Sequence, residues 1–417
     1  MSEVIPLGLY LHFPWCVSKC PYCDFNSHAL REGAAGRDTV PEAAYIDSLQ
    51  ADLEHQLETQ AALIGERRIA TVFMGGGTPS LFSPAAIGRV LEFVRRRIGL
   101  EPQAEITLEA NPGTIERGRF AEYAAAGINR VSLGAQSFDT AALHALGRIH
   151  SPDDTQRAAA ELHAAGLANF NLDLMYGLPA QDRALALQDV AMAIALEPAQ
   201  ISHYHLTLEP GTPFAARPPA ELPDDEATET MLEATSAALA AAGYARYEVS
   251  AYARAGRRCA HNLLYWQFGD YLGVGAGAHG KLSGTDVSGT DVSGTGVSDG
   301  FTIRRSTQPR EPRRYQRDPR GGLLWRDVAV AERPFEFMLN ALRLVEGFDS
   351  RLFEARAGVS WSTVEPTLRR LGERDLLTLA GGGPWQLAPT AAGLRWLNEL
   401  LLEFLSADAD TRLDRRS

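Results

Sequence analysis

The feature that most constrains this chain is a rhythm. Six short, β-prone runs alternate with six longer stretches of helical pattern. The predicted strands are Leu7–Phe13, Ile69–Met74, Glu105–Ala110, Arg130–Gly134, Asn169–Met175 and Ile201–Leu208. The predicted helices are Glu42–Leu63, Pro84–Arg97, Ile115–Ala126, Pro152–Ala165, Ala184–Leu196 and Asp225–Ala242. Parallel strands cannot be joined by a tight hairpin and need a crossover, usually a helix. Six consecutive units therefore predict an α/β fold built on a parallel sheet. Several strands run into glycine or Asn-Pro turns, at Gly75 to Gly77, Asn111 to Gly113 and Gly177 to Pro179. In parallel barrels and open α/β sheets the C-terminal strand ends carry the active site.

The 417 residues allow two or three domains. The rhythm fills residues 1–250. Residues 251–330 complete it, with an apolar, Gly-rich stretch over Leu263–Gly280. A tandem SGTDV repeat follows over Ser283–Val297, expected as a flexible insertion without chemistry. An Arg/Pro stretch, Arg304 to Arg320, reads as a solvated linker. The other reading is contact with anionic groups, including lipid headgroups, which would bring the chain to a membrane periphery. Residues 331–406 predict a small α+β domain: helices at Pro334–Leu344, Ser350–Ala357 and Ser362–Leu371, a hairpin of Leu376–Leu379 and Trp385–Leu387, and a closing helix at Pro389–Leu405. That order is winged-helix-like, with a frayed tail over 407–417. The net charge of −12 argues against nucleic acid as a partner. No apolar run is long enough for a transmembrane segment, and the N-terminus lacks a signal-peptide pattern, so a cytoplasmic protein is expected.

Three of the four cysteines crowd behind the first strand as Cys16-x3-Cys20-x2-Cys23. Three thiolates on one short loop suit a [4Fe–4S] cluster with one iron left open. A zinc site is the alternative, with His12, His28 or Cys259 as fourth ligand, and would fit a transcriptional regulator. Disulfides are disfavoured in a cytoplasmic chain.

The stretch YLHFPWCVSKCPYCDF resembles the radical S-adenosylmethionine superfamily. The resemblance implies a partial (β/α)6 barrel. It also implies a cluster whose fourth iron is chelated by S-adenosylmethionine and whose electron converts that cofactor to a 5′-deoxyadenosyl radical. GGGTPS at Gly75 to Ser80, LEANP, LGAQSF, LGRIH, NLDLMYGLP and HYHLTLEPGTP extend the resemblance to the oxygen-independent coproporphyrinogen oxidase family of porphyrin metabolism. By that resemblance Tyr10, Gly76, Gly77, Thr78, Glu109, Gln136, Arg148 and Asp173 fall at cofactor-contacting positions.

The family holds an oxidase, which decarboxylates two propionates of coproporphyrinogen III, and a haem-carrier branch. The oxidases have Cys-x3-Cys-x2-Cys-x-Cys and a longer N-terminal segment; this chain has Phe25 at the last position and 15 residues before Cys16. The carrier branch has HNxxYW, matched from His261 to Trp266. The resemblance therefore implies a haem chaperone, with enzyme activity left open. It would bind haem b through His261, Tyr265, Trp266 and Cys259, and serve client haemoproteins such as respiratory enzymes. An electron donor such as flavodoxin is a further partner, and a homodimer is left open.

Overall fold

A computed structural model describes residues 4–30, 32–33, 36–37, 39–114, 119–285 and 300–405. Strands β1 (Leu7–Phe13), β2 (Ile69–Gly76), β3 (Leu100–Ala110), β4 (Arg130–Gln136), β5 (Phe170–Tyr176) and β6 (Gln200–His205) pair in chain order, all parallel. The crossovers are α1 (Glu42–Thr59), α2 (Pro84–Arg97), α3 (Arg119–Ala126), α4 (Pro152–Ala164) and α5 (Arg183–Ala195); α6 (Asp225–Ala241) follows β6. Their starts are written locally. Ser83, Ser151, Asp182 and Asp224 each accept a hydrogen bond from a first-turn amide, and Pro84 and Pro152 open their helices.

Strand alternation sorts the side chains. Leu7, Leu9, Leu11 and Phe13 join the apolar layer under the helices, with Ile46, Leu49, Val90 and Leu91. The intervening Gly8, Tyr10 and His12 face the barrel interior, where Leu264, Phe73 and Asn26 meet them. The sheet does not close. After β7 (Ala245–Arg246), β8 (Ala251–Ala253) covers β6 in antiparallel fashion. The helix α7 (Ala260–Trp266) then leads to β9 (Asp270–Val274), which lies parallel to β1. Strands β10 (His279–Thr285), β11 (Phe301–Thr307) and β12 (Leu324–Asp327) extend that side in antiparallel order. The result is a partial (β/α)6 barrel in a twelve-stranded sheet.

Four expectations need correction. The helix over Glu42–Leu63 ends at Thr59, with a separate turn at Ala61–Ile64. The helix placed over Ile115–Ala126 begins at Arg119 among the described residues. The Arg304 to Arg320 stretch is not a linker: it supplies β11 and α8 (Pro312–Arg317). Arg304 pairs with Asp327 at 3.1 Å and Arg305 with Glu336, and Tyr315 is buried. The closing helix over Pro389–Leu405 is broken at Trp396. Of the SGTDV repeat, residues 286–297 lie outside the described residues, as does the tail from 406.

The C-terminal unit has α9 (Arg333–Ala341), α10 (Ser350–Ala357) and α11 (Glu365–Glu373), then two short helices, α12 (Ala391–Arg395) and α13 (Leu397–Leu402). Its strands β13 (Phe348–Asp349), β14 (Leu377–Ala380) and β15 (Gln386–Pro389) form a small antiparallel sheet in the order β13-β15-β14. Phe337, Phe353, Trp361 and Leu368 share one apolar cluster with Phe268 and Ile303, so this unit is seated on the barrel extension. On and beside α11, Arg369 pairs with Glu365 and Arg374 with Glu403 at 2.8 Å, so these cations are already neutralised. Among the described residues no helix is long and apolar enough to cross a membrane.

Candidate functional site

The C-terminal strand ends open onto a cavity of about 340 Å³. Cys16, Cys20 and Cys23 line it together with Gly76, Gly77, Thr78, Glu109, Gln136, Arg148 and Asp173. The cysteine loop leaves β1 and returns: Trp15–Cys16 pairs in parallel with His28–Ala29, and Cys23 N donates to Cys20 O at 3.2 Å. The thiols are free. Each has a polar neighbour. Thr78 Oγ1 donates to Cys16 Sγ at 3.5 Å, Arg148 reaches Cys20 Sγ at 3.6 Å, and Ser27 Oγ lies 3.8 Å from Cys23 Sγ. Burial pushes the Cys16 and Cys23 thiols up; coordinated iron would reverse that by holding thiolates.

Of the three candidate fourth ligands for zinc, two are committed or remote. His12 uses both ring nitrogens, with Tyr10 OH at 3.0 Å and Asn26 O at 2.9 Å. Cys259 lies elsewhere. Among the described residues no three His, Cys, Asp or Glu side chains converge where a single ion could sit. Three thiols spread around a cavity fit a cluster, because a single zinc needs all its ligands within about 2.0–2.3 Å.

The glycine run is dictated first by the protein itself. Gly76 has φ +106°, and a Cβ there would lie 2.3 Å from the His12 ring. A Cβ on Gly77 would meet Trp15 O at 2.6 Å and Phe13 O at 2.7 Å. This close approach clamps the run onto β1, with Gly77 N donating to Phe13 O at 2.8 Å and Thr78 N to Trp15 O at 2.8 Å. Gly76 N is left to donate to Glu109 Oε2 at 3.2 Å.

The adjoining wall is acidic. Burial, reinforced by Asp173, raises the Glu109 carboxyl to about 8. Asp173 is also raised by burial, although Ser132 Oγ at 3.0 Å and Asn171 Nδ2 at 2.8 Å donate to it. Two crowded carboxyls beside three thiols suit a ligand that carries positive charge, such as a sulfonium or ammonium group. Gln136 sits at φ 67°, where the β4–β5 register shifts, a strained turn that brings its side chain to the cavity wall.

Tyr10 is the exception among the expected cofactor residues. It does not line the cavity: its hydroxyl meets His12 Nδ1 and its ring stacks on Phe73 at 6.4 Å, one layer below. The expected haem residues depart further. α7 stops the other end of the barrel, beside Thr71, Glu105, Arg130 and Gln200 near the strand starts. Cys259 is fully buried, and its Sγ donates to Glu105 Oε1 at 3.3 Å. His261 is 1% exposed, with Nδ1 on Thr71 Oγ1 at 2.8 Å and its ring stacked on Phe73 at 5.1 Å. Tyr265 packs edge-on against His261, and the Arg343 guanidinium covers Trp266 at 4.4 Å. A porphyrin cannot reach an imidazole enclosed in this way, so in this conformation the motif is a barrel floor. Sequence reasoning singled out no residue of the β6 end as a site, although Tyr204, His205, Leu206, Thr207 and Glu209 all line the cavity. Their position at a strand terminus was the available signal.

The family profile of the radical SAM superfamily matches residues 10–190, and that of the HemN C-terminal domain matches residues 328–396. The heme chaperone HemW of Escherichia coli is 44% identical over 408 residues, covering 97% of this chain and 100% of that protein. The chain belongs to the HemW family. The HemW of Haemophilus influenzae is likewise 44% identical, over 98% of this chain and 100% of its own. Among solved structures, the coproporphyrinogen III oxidase HemN from Escherichia coli superposes with a TM-score of 0.73 over 96% of this chain and 90% of its own, at 21% identity. That likeness is one of fold.

Proposed function

We propose that this chain is a haem chaperone, which binds haem and hands it to client haemoproteins such as respiratory enzymes in the cytoplasm. The observation that carries this reading is the full-length similarity to HemW, a heme chaperone in Escherichia coli and Haemophilus influenzae. The site supports it at one position: Phe25, where the oxidase pattern would place a fourth cysteine, is 59% exposed at the cavity wall. An apolar ring there serves contact with a macrocycle rather than ligation.

Cys16, Cys20 and Cys23 would hold a [4Fe–4S] cluster, and the wall from Gly76 to Thr78 with Glu109, Gln136, Arg148 and Asp173 would hold S-adenosylmethionine. When bound, the cluster supplies one-electron reduction, drawn from a donor such as flavodoxin. The chain's own residues do the positioning. Thr78, Ser27 and Arg148 orient the sulfur atoms, and Arg148 also donates to Gly134 O at 2.8 Å, tying the cysteine loop to β4. Glu109 and Asp173 balance the positive charge of the cofactor.

The test is anaerobic reconstitution, haemin titration, and transfer of the bound haem to an apo-haemoprotein. Stoichiometric uptake and transfer are expected. Conversion of coproporphyrinogen III to protoporphyrinogen above controls, with no haem uptake, would establish the oxidase instead.

A further inference from the structure

We propose that the arginine-rich stretch from Arg310 to Arg320, together with Lys19 of the cysteine loop, is the docking surface for an acidic one-electron donor protein. This deepens the reading given above, and rests on the cysteine loop holding a [4Fe–4S] cluster. In a chain of net charge −12 the stretch holds five arginines against two acids. Arg310, Arg313, Arg314, Arg317 and Arg320 are all exposed, and among the described residues none of them forms an ion pair. Both acids are turned to backbone amides. Glu311 accepts from Arg313 N at 3.0 Å and Arg314 N at 2.6 Å, and Asp318 accepts from Gly321 N at 2.8 Å. Clustered cations without paired counter-charges create a local positive potential.

The fold brings this stretch against the cysteine loop. Asn26 Nδ2 donates to Arg310 O and to Ala276 O, both at 2.9 Å, so the return of the loop is tied to the segment that opens α8. Lys19, the residue before Cys20, is exposed, and its ammonium donates to Phe25 O at 3.0 Å with two further N–H donors to offer. His28 shows how near the two come. Burial lowers its pKa, and the charges of Lys19 and Arg310 both add to that, against Arg310 O and Glu311. The three cysteines line the cavity, whereas no residue of α8 does. A protein cannot enter a cavity of about 340 Å³, so a donor has to approach from outside it, over the loop.

Charge and task together fix the class of partner. A flavoprotein hydroquinone that gives up one electron becomes a semiquinone, and the cluster gains that electron; no bond forms or breaks. Electron-transfer encounters use small interfaces, and opposite charge speeds their association. A positive face beside the cluster loop therefore fits a donor with an acidic face. A lipid surface fits less well. A helix that lies in a membrane interface buries apolar side chains there, but Pro312 and Tyr315 of α8 are buried in the protein and the helix offers arginines alone beside Gln316.

The experiment mixes an acidic flavodoxin, reduced to its hydroquinone, with the anaerobically reconstituted protein in stopped flow. Absorbance and paramagnetic resonance follow cluster reduction, and isothermal titration measures affinity for the oxidised flavodoxin. Arg313→Glu with Arg317→Glu is expected to lower the second-order rate and the affinity about tenfold or more at low ionic strength, with the gap closing in high salt. Arg183→Glu with Arg257→Glu makes the same charge change at exposed positions on α5 and before α7, and should behave as wild type. Dithionite needs no docking and should reduce all three proteins to the same extent, with equal iron and sulfide content. Rate and affinity of R313E/R317E equal to wild type overturn the proposal. So does an equal loss in R183E/R257E, which makes the effect one of net charge, or a flavodoxin that neither binds nor reduces wild type. Unchanged donor kinetics in R313E/R317E with lost sedimentation on phosphatidylglycerol vesicles also overturn it, and make the stretch a lipid surface. If wild type builds no cluster that dithionite reduces, the cluster reading itself fails.

Discussion

Glu109 gives the sharpest quantitative prediction. Its carboxyl is raised to about 8, first by burial and then by Asp173, whereas a free glutamate ionises near 4.5. At pH 7 about one side chain in eleven is therefore ionised, and at pH 9 about ten in eleven, since one pKa unit is a factor of ten. Only the carboxylate attracts a cation. Affinity of the cluster-loaded protein for S-adenosylmethionine should consequently rise about tenfold from pH 7 to pH 9 through this group, or about 1.4 kcal/mol. At pH 7 the binding event should expel about 0.9 of a proton from Glu109. Glu109→Gln keeps the size and the hydrogen bond from Gly76 but cannot ionise. Isothermal titration under anaerobic conditions, repeated in buffers of different ionisation enthalpy, counts the protons. The cofactor's amino group titrates equally with both proteins, so the difference between them isolates Glu109. Equal affinity of E109Q and wild type at pH 9, with equal proton counts at pH 7, refutes the acidic-wall argument.

Gly77→Ala drives a methyl group into Trp15 O and Phe13 O, both backbone atoms that cannot yield by rotation. A loss of about 1–3 kcal/mol in thermal unfolding is expected, with lower iron content because Cys16 is displaced. Asp52, fully buried, is raised to about 7 by burial despite donors from Gln56, Gly275, Tyr315 and Gln308. A carboxyl raised in the folded state contributes stability at low pH that is lost as pH climbs from its unfolded value near 3.8 to about 7. Wild type should therefore lose stability relative to Asp52→Asn across that window in denaturant titrations, and parallel curves would contradict it. Lys281→Met removes the 2.9 Å partner of buried Asp270, which keeps Arg67 at 2.8 Å, so the unfolding midpoint should report a cost of about 1–3 kcal/mol.

The barrel was legible because its signals are local. Alternation in LGLYLHF, the Ser83 cap and Pro84 specify β1 and α2, whose boundaries agree with the reading from sequence. The three cysteines and the strand-end residues were legible because a parallel sheet brings strand C-termini together whatever lies between them in the chain. Where long-range contacts decide, the reading failed. Arg304 and Arg305 look like linker charges until Asp327 and Glu336 are brought beside them. Burial is equally illegible at His261, which is 1% exposed. A histidine plugging a barrel and one facing solvent carry the same letter, and the motif around His261 drew attention to the enclosed one. Trp396 interrupts a helical pattern that periodicity alone would have continued to Leu405.

Among the described residues, the helix that stoppers the barrel turns it into a vessel open at the strand C-termini. Whatever sits in the depths must enter and leave past the same rim of Phe25 and Tyr204. Anything resting on that rim would cover the way in, so a ligand of the depths would have to be seated before it.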